Sequence, residues 1–473
     1  MRTILTLDLG TTYFKVCLFD EQGRLRARSR MAAPIRRTPD GRCEMPAGRF
    51  VAAVRSGIRG LLAGTPCGLR SVSAVAVATQ TNSFLLLDER HRPLTPLLLW
   101  PDRRAEVDAP RRRRWYAAMN ALRRRTGVPA VTPQFMVAKL DWLRRHKAGI
   151  WSRARRLAMI GDYLTWWFTG IDATEAGAAC LTGLCDIRTL RWIEPACERT
   201  GLKPDWMPAV VRAGTDLGPV VPERAEQLGL PGSTRFVVGC LDQYAGAIGV
   251  GNVHPGDCSE TTGTVLSAVR CAARLAKPAS SVFQGPAWTA DRFYRMTFGS
   301  RAANLLERYR DQRPDRAEFP ALDALAARCP PGARGRRLAG EEDEGTGPVA
   351  FAGGESPPDP GRDVRCILEG VAQALWRQVR ELGPTRRLAE IRCAGGGARS
   401  DLWLQIKADR LGTRTTATRC PEPTSLGVAM LAARALGWAD MEEIACRWVT
   451  PRVSMTPDPA RHALYRRLYG KDT

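Results

Sequence analysis

A chain of 473 residues exceeds what one compact core serves, so two domains are expected. With 44% hydrophobic and 25% charged residues it has the balance of an ordinary soluble globular protein, and no apolar run approaches the roughly 18 residues that cross a bilayer. The net charge of +23 raises nucleic acid as a partner, but the basic residues spread over the whole chain and carry neither zinc-finger spacing nor an RNA-binding aromatic signature.

The densest basic blocks, 111–114 and 123–125, flank Trp115 and Tyr116 and are expected to be a solvated surface that also attracts anionic nucleotides. The 14 cysteines run from Cys17 to Cys446 without a Cys-x-x-Cys pair, and His91, His146, His254 and His462 lie far apart. That pattern favours buried thiols in a reducing compartment over disulfides or a metal cluster. The first motif begins already at Asp8, leaving no room for a removable secretion signal, and a cytoplasmic location without membrane attachment is expected.

In chain order, residues 4–9 and 16–19 predict a β-hairpin whose turn carries Gly10, Thr11 and Thr12. Residues 72–78 and 84–87 follow as strands, joined by the polar stretch 79–83. Helical patterns occupy 138–145 and 163–168, the latter stopped by Gly170. Pro- and Gly-rich ground precedes a strand at 235–239, which sets the expected domain boundary, 1–234 and 235–473. Residues 260–269 repeat the opening's Gly-Thr turn, a faint internal echo that suggests duplicated halves. The segment 311–361 lacks apolar periodicity and is expected to be a surface excursion. A helix over 366–382, a strand at 391–394, a helix capped by Ser400 and a small-residue helix over 424–436 complete a mixed α/β pattern.

The chemistry sits at the ends of these strands. Asp8 beside the Gly10 turn suits a hydrated magnesium ion, with Thr11, Thr12 and Lys15 as phosphate donors; the plain alternative is a hairpin with a capping Asp. Asp242 follows an apolar strand and precedes the small-residue run 245–251. It could accept the proton of an attacking hydroxyl, or simply cap a helix. Gly263 and Thr264 could bring amides and a hydroxyl to a phosphate chain. Gly395, Gly396 and Gly397 let backbone approach a ligand, and the helix from Ser400 aims its N-terminus there. Neither a Rossmann fingerprint nor a Walker A loop is present.

Taken together, these segments resemble the FGGY carbohydrate kinases, nearest in flavour to xylulose kinases. The likeness is carried by Asp8-Leu9-Gly10-Thr11-Thr12 with Lys15, by Gly239-Cys240-Leu241-Asp242 with Ala245-Gly246, and by Gly263-Thr264. It is most specific in Gly395-Gly396-Gly397-Ala398-Arg399-Ser400 with Trp403, Gln405, Ala408-Asp409 and Gly412. Weaker likeness runs through Trp100-Pro101-Asp102-Arg103, Lys139-Leu140-Asp141-Trp142-Leu143 and Asp162-Tyr163-Leu164, so nearly the whole chain is covered.

The resemblance implies two ribonuclease-H-like domains of the actin and sugar-kinase superfamily, with an interdomain cleft that closes over a sugar and MgATP. It implies Asp242 as general base and Asp8 near Mg2+. Thr11, Thr12, Lys15, Gly263 and Thr264 would meet phosphates, with Gly396, Gly397 and Asp401 near the nucleoside. Substrate contacts are assigned to Gln80, Thr81, Asn82, Gln134, Asp242 and Gln243.

Two departures bear on the substrate. Xylulose kinases carry Gln-Met-His and glycerol kinases an Arg-Glu pair where this chain has Gln80-Thr81-Asn82, so the sugar is left open. The family's Gly-Glu-Arg-x-Pro segment survives only as Gly354-Glu355-Ser356-Pro357-Pro358, which bears on oligomer contacts; a homodimer is left open. The expected activity is ATP-dependent phosphorylation of a hydroxyl on a small sugar, ketose or polyol. The alternative is a nucleotide-binding regulatory or scaffold protein on the same fold, its basic surface engaging an acidic partner. A chaperone-type ATPase ranks below both.

Overall fold

The computed structural model describes residues 1–66, 71–340, 347–354, 359–385 and 388–470. Contacts divide the chain into two compact units. The first holds Met1–Gly249, Ala273–Tyr294 and Glu422–Trp448; the second holds Val250–Ala272, Arg295–Pro421 and Val449–Thr473. The expected division after residue 234 therefore moves, because the strand that follows pairs within the first unit's sheet. Of the segment 354–358, residues 355–358 lie outside the described residues.

In the first unit, strands β1 (Thr3–Leu9), β2 (Tyr13–Asp20), β3 (Leu25–Ala32), β4 (Val72–Thr79), β5 (Asp216–Pro219) and β6 (Arg235–Leu241) form a six-stranded sheet in the order β5-β6-β4-β1-β2-β3. The predicted opening hairpin is there: β1 and β2 run antiparallel with Asp8 opposite Lys15. β1, β4 and β6 are mutually parallel, which explains their near-continuous apolar runs. On one face, Leu5, Leu7 and Leu9 join a core with Phe50, Val54 and Ile58 of the Ala47–Ala63 helix and Leu164 and Phe168 of the Ile160–Thr169 helix. Alternation along β1 turns Ile4, Thr6 and Asp8 to the other face, where the Pro423–Ala435 helix packs over the sheet.

The second unit repeats the hairpin. Strands β7 (Cys258–Thr262) and β8 (Leu266–Ala272) are antiparallel around the Gly263-Thr264 turn. β7 runs parallel to β9 (Glu390–Ala394), β9 parallel to β10 (Arg414–Thr418), and β10 antiparallel to β11 (Pro451–Met455). The echo between 4–20 and 258–272 is thus a shared topology. The described residues of the segment 311–361 are more ordered than expected. A helix at Phe319–Ala327 buries Leu322 and Ala326 and packs on the long helix Pro360–Glu381. Two residues at i, i+4 anchor it, too brief a stripe to register as periodicity. Among the described residues no helix is long and apolar enough to cross a membrane.

The small-residue run after Asp242 has a packing reason. In the helix Asp242–Gly249, a Cβ added at Gly249 would lie 1.8 Å from the Pro423 carbonyl oxygen; one added at Gly427 would lie 1.9 Å from that of Ala245. The two helices cross with backbone against backbone, which only glycine permits. Gly427→Ala is expected to cost about 3 kcal/mol, read as a lowered thermal midpoint. Gly232→Ala, with nothing within 4 Å, serves as the unaffected control.

Candidate active site

Parallel strands bring their carboxyl ends to one edge, where open α/β sheets bind ligands. In the first unit Leu9, Thr79 and Leu241 lie abreast in β1, β4 and β6. The Gly10 turn, Gln80 and Asp242 therefore all begin at one level. Lys15 donates to Asp8 Oδ2 at 3.2 Å and pairs with Glu422 Oε2 at 3.0 Å. Burial raises the Asp8 carboxyl above its ordinary value, with Lys15 opposing and Glu422 adding. Burial also pulls Lys15 down, but the two carboxylates outweigh it and hold the ammonium charged. Thr11 is half-buried and Thr12 exposed.

Asp242 opens the Asp242–Gly249 helix with its side chain half-buried. Among the described residues its Oδ1 accepts only the neighbouring Gln243 amide, at 2.7 Å, not the amides one turn on that a capping carboxylate takes. Burial, then repulsion from Asp8, push its pKa up to about 7. The end of β6 is buttressed by Glu175, which accepts the amides of Gly177 at 2.6 Å, Ala178 at 2.8 Å and Leu241 at 3.3 Å. Burial raises Glu175 to about 7.

The 80–82 loop spends its polar side chains inside the protein. Gln80 donates to the Leu9 carbonyl at 3.2 Å and accepts from Ser83 at 2.9 Å, Thr81 donates to the Ala178 carbonyl, and Asn82 bridges Leu181 and Met136. Beneath it, the buried Lys139 ammonium donates to the carbonyls of Asn82, Leu99 and Trp100, and burial lowers its pKa to about 7. Gln134 is exposed and bonded to Glu106 and Thr132, with no link to this cluster. Gln243 is half-buried next to Asp242.

In the second unit the turns after β7 and β9 meet at one edge, since Thr261 pairs with Ala394 in parallel register. A Cβ on Gly395 would strike the Thr262 carbonyl oxygen at 2.5 Å, and one on Gly397 the Thr262 Cβ at 2.8 Å. Both glycines are thus demanded by packing on β7, whereas the Cβ position of Gly396 is nearly open, its nearest neighbour 4.0 Å away. Thr264 and Gly396 are exposed. Ser400 caps the Asp401–Leu411 helix through the Trp403 amide at 3.0 Å, as expected, and exposed Asp401 pairs with Arg452 at 2.8 Å.

Two consecutive domain models match the chain: the N-terminal domain of the FGGY family of carbohydrate kinases over residues 3–249, and its C-terminal domain over 314–436. The chain belongs to the FGGY family of carbohydrate kinases. A xylulose kinase of Escherichia coli (strain K12) is 29% identical over 98% of each chain, and a gluconokinase of Bacillus subtilis (strain 168) 26% identical over 98% of this chain and 94% of its own. In fold, it is similar to a ligand-bound xylulose kinase from Lactobacillus acidophilus, with a TM-score of 0.90, 22% identity, and 99% and 96% of the two chains covered. The protein is accordingly a carbohydrate kinase on the two-domain actin and sugar-kinase fold, and its family uses ATP.

Several residues that build these FGGY edges carried only weak sequence signals. Glu422 is separated from Lys15 by most of the chain, and only its place before Pro423 marked a helix start. Glu175 shows as a carboxylate ahead of the small run 176–179, and Lys139 as a lone cation among apolar neighbours. Most hidden is Lys407, fully buried, which donates to Glu260 at 2.6 Å and Thr262 at 2.8 Å directly beneath the two turns of the second unit. Removing one partner leaves a buried charge uncompensated, at a cost of about 3–5 kcal/mol. Lys407→Leu is expected to lower the thermal midpoint sharply, and adding Glu260→Leu to recover most of the loss; calorimetry of both variants checks this.

Proposed function

We propose that this kinase transfers the terminal phosphoryl group of ATP to a hydroxyl of a small sugar, a xylulose-like ketose or a polyol, with Asp242 as general base. The observation that carries the assignment is the Asp242 carboxylate itself. It has no capping duty, stands at the carboxyl edge of three parallel strands, and is raised to about 7. A base of that strength takes a proton efficiently near neutral pH. Asp242 would draw the proton from the acceptor hydroxyl as that oxygen attacks phosphorus, and Gln243 would help hold the sugar. Gln80, Thr81 and Asn82 are proposed to shape the sugar's wall through the loop they brace, with Gln134 at its margin.

The residues fit a magnesium ion held through one carboxylate. Among the described residues no group of three or more His, Cys, Asp or Glu converges, so Asp8 would act with water and phosphate oxygens, as magnesium tolerates. A cation beside Asp8 would restore the charge that burial disfavours, and when bound it supplies charge neutralisation to the phosphate oxygens. Thr11, Thr12 and Lys15 are proposed to donate to phosphates. Gly263, Thr264, Gly396, Gly397 and Asp401 are proposed to serve the nucleotide from the second unit. A cytoplasmic setting is proposed with this activity.

Asp242→Asn is expected to lower kcat by about 10²–10⁴-fold while ADP still binds. Coupled assays over pentuloses, hexuloses, aldonates and polyols test this, and undiminished turnover on the best substrate would end the assignment. A base must be ionised, so kcat/KM should fall as pH drops through about 7. Because the Asp8 charge helps raise Asp242, the residual activity of Asp8→Asn should shift its acid limb to lower pH.

A further inference from the structure

Arg123 and Arg124 of the arginine block 123–125, assigned no task in phosphoryl transfer, line one wall of a depression of about 520 Å³ in the first unit. Arg123, Arg124, Arg188 and Lys277 face it from three separate stretches of chain. Among the described residues no carboxylate lines it. Asp186, two residues before Arg188, is already engaged by Arg125 at 2.8 Å, and its other oxygen accepts the Arg188 and Thr189 amides. The four cations themselves form no ion pair among the described residues and are exposed.

The walls are built rather than incidental. The Gln284 amide donates to the Gly127 carbonyl at 2.9 Å, and a Cβ on Gly127 would strike the Gln284 carbonyl oxygen at 2.3 Å. The nearly buried Gln284 side chain holds both the amide and the carbonyl of Ala276, fixing the stretch that carries Lys277. The Ile187 amide donates to Arg125 at 2.8 Å, which ties the Arg188 stretch to the arginine block.

From this convergence we infer that the depression binds a small anion bearing two or more phosphate groups, distinct from the residues assigned to phosphoryl transfer. Its volume suits a small molecule. An extended nucleic-acid track is disfavoured, since Arg112 is spent on Asp141, and half-buried Trp115 gives its indole N–H to the Arg199 carbonyl.

The test is titration calorimetry of the full chain with sodium tripolyphosphate and with inorganic phosphate. The wild type should show a binding event that Arg124→Glu/Arg188→Glu abolishes and Lys277→Glu weakens about tenfold, as expected for lost charge-assisted hydrogen bonds. Inorganic phosphate should bind at least about tenfold more weakly. Arg49→Glu, an exposed arginine of another depression, should change nothing. The inference is overturned if the first three proteins bind tripolyphosphate alike, or if Arg49→Glu weakens it as much as Lys277→Glu. It is equally overturned if these residues govern retention of a 20-nucleotide DNA and not of tripolyphosphate. All variants are exposed positions, so unchanged thermal midpoints exclude misfolding as the cause.

Discussion

Two helices that touch backbone to backbone organise the first unit. Because Gly249 and Gly427 present no Cβ, the Asp242–Gly249 and Pro423–Ala435 helices cross at a distance no other residue pair would allow. One helix begins at Asp242, the other just after Glu422. Their crossing, together with the packing of the second helix over the sheet, sets where both carboxylates emerge. Had either helix been held further out by a side chain, Glu422 would lose its reach to Lys15, and Lys15 its dual engagement with Asp8.

The electrostatics follow from that placement. Three carboxylates and one ammonium occupy the same strand-end layer, and Lys15 answers two of the carboxylates directly. For Asp242, burial and the field of Asp8 outweigh the Gln243 amide and the more distant Lys15, and raise its pKa to about 7. The second unit solves a related problem differently. Its hairpin carries exposed ligand-type groups at the turn, while Lys407 and Glu260 neutralise each other in the interior below. The same topology thus carries a titratable carboxylate in one unit and a closed ion pair in the other.

Most of the secondary structure was legible because it rests on local signals. Alternation and Gly-Thr turns marked both hairpins, and Ser400 marked a cap whose hydrogen bond is present. The small residues after Asp242 announced close packing, and Gly249 provides it. The unit boundary was misjudged because a Pro- and Gly-rich approach is a local property, while membership of a sheet is decided by pairing with β4, far earlier in the chain. The glycine triplet was legible as a turn. That Gly395 and Gly397 serve Thr262, leaving Gly396 nearly open, required the neighbouring strand.

By itself the sequence determined the mixed α/β class, the polar turns at strand ends, and the residue types available for phosphoryl chemistry. Periodicity and turn chemistry act over a few residues, and those are written linearly. Only the tertiary structure decided that Glu422 completes the Lys15–Asp8 pair, that the Gln80 and Asn82 amides face inward, and that four cations from separate stretches share one depression. Each of those depends on desolvation and on partners tens to hundreds of residues away, and neither quantity exists until the chain has packed.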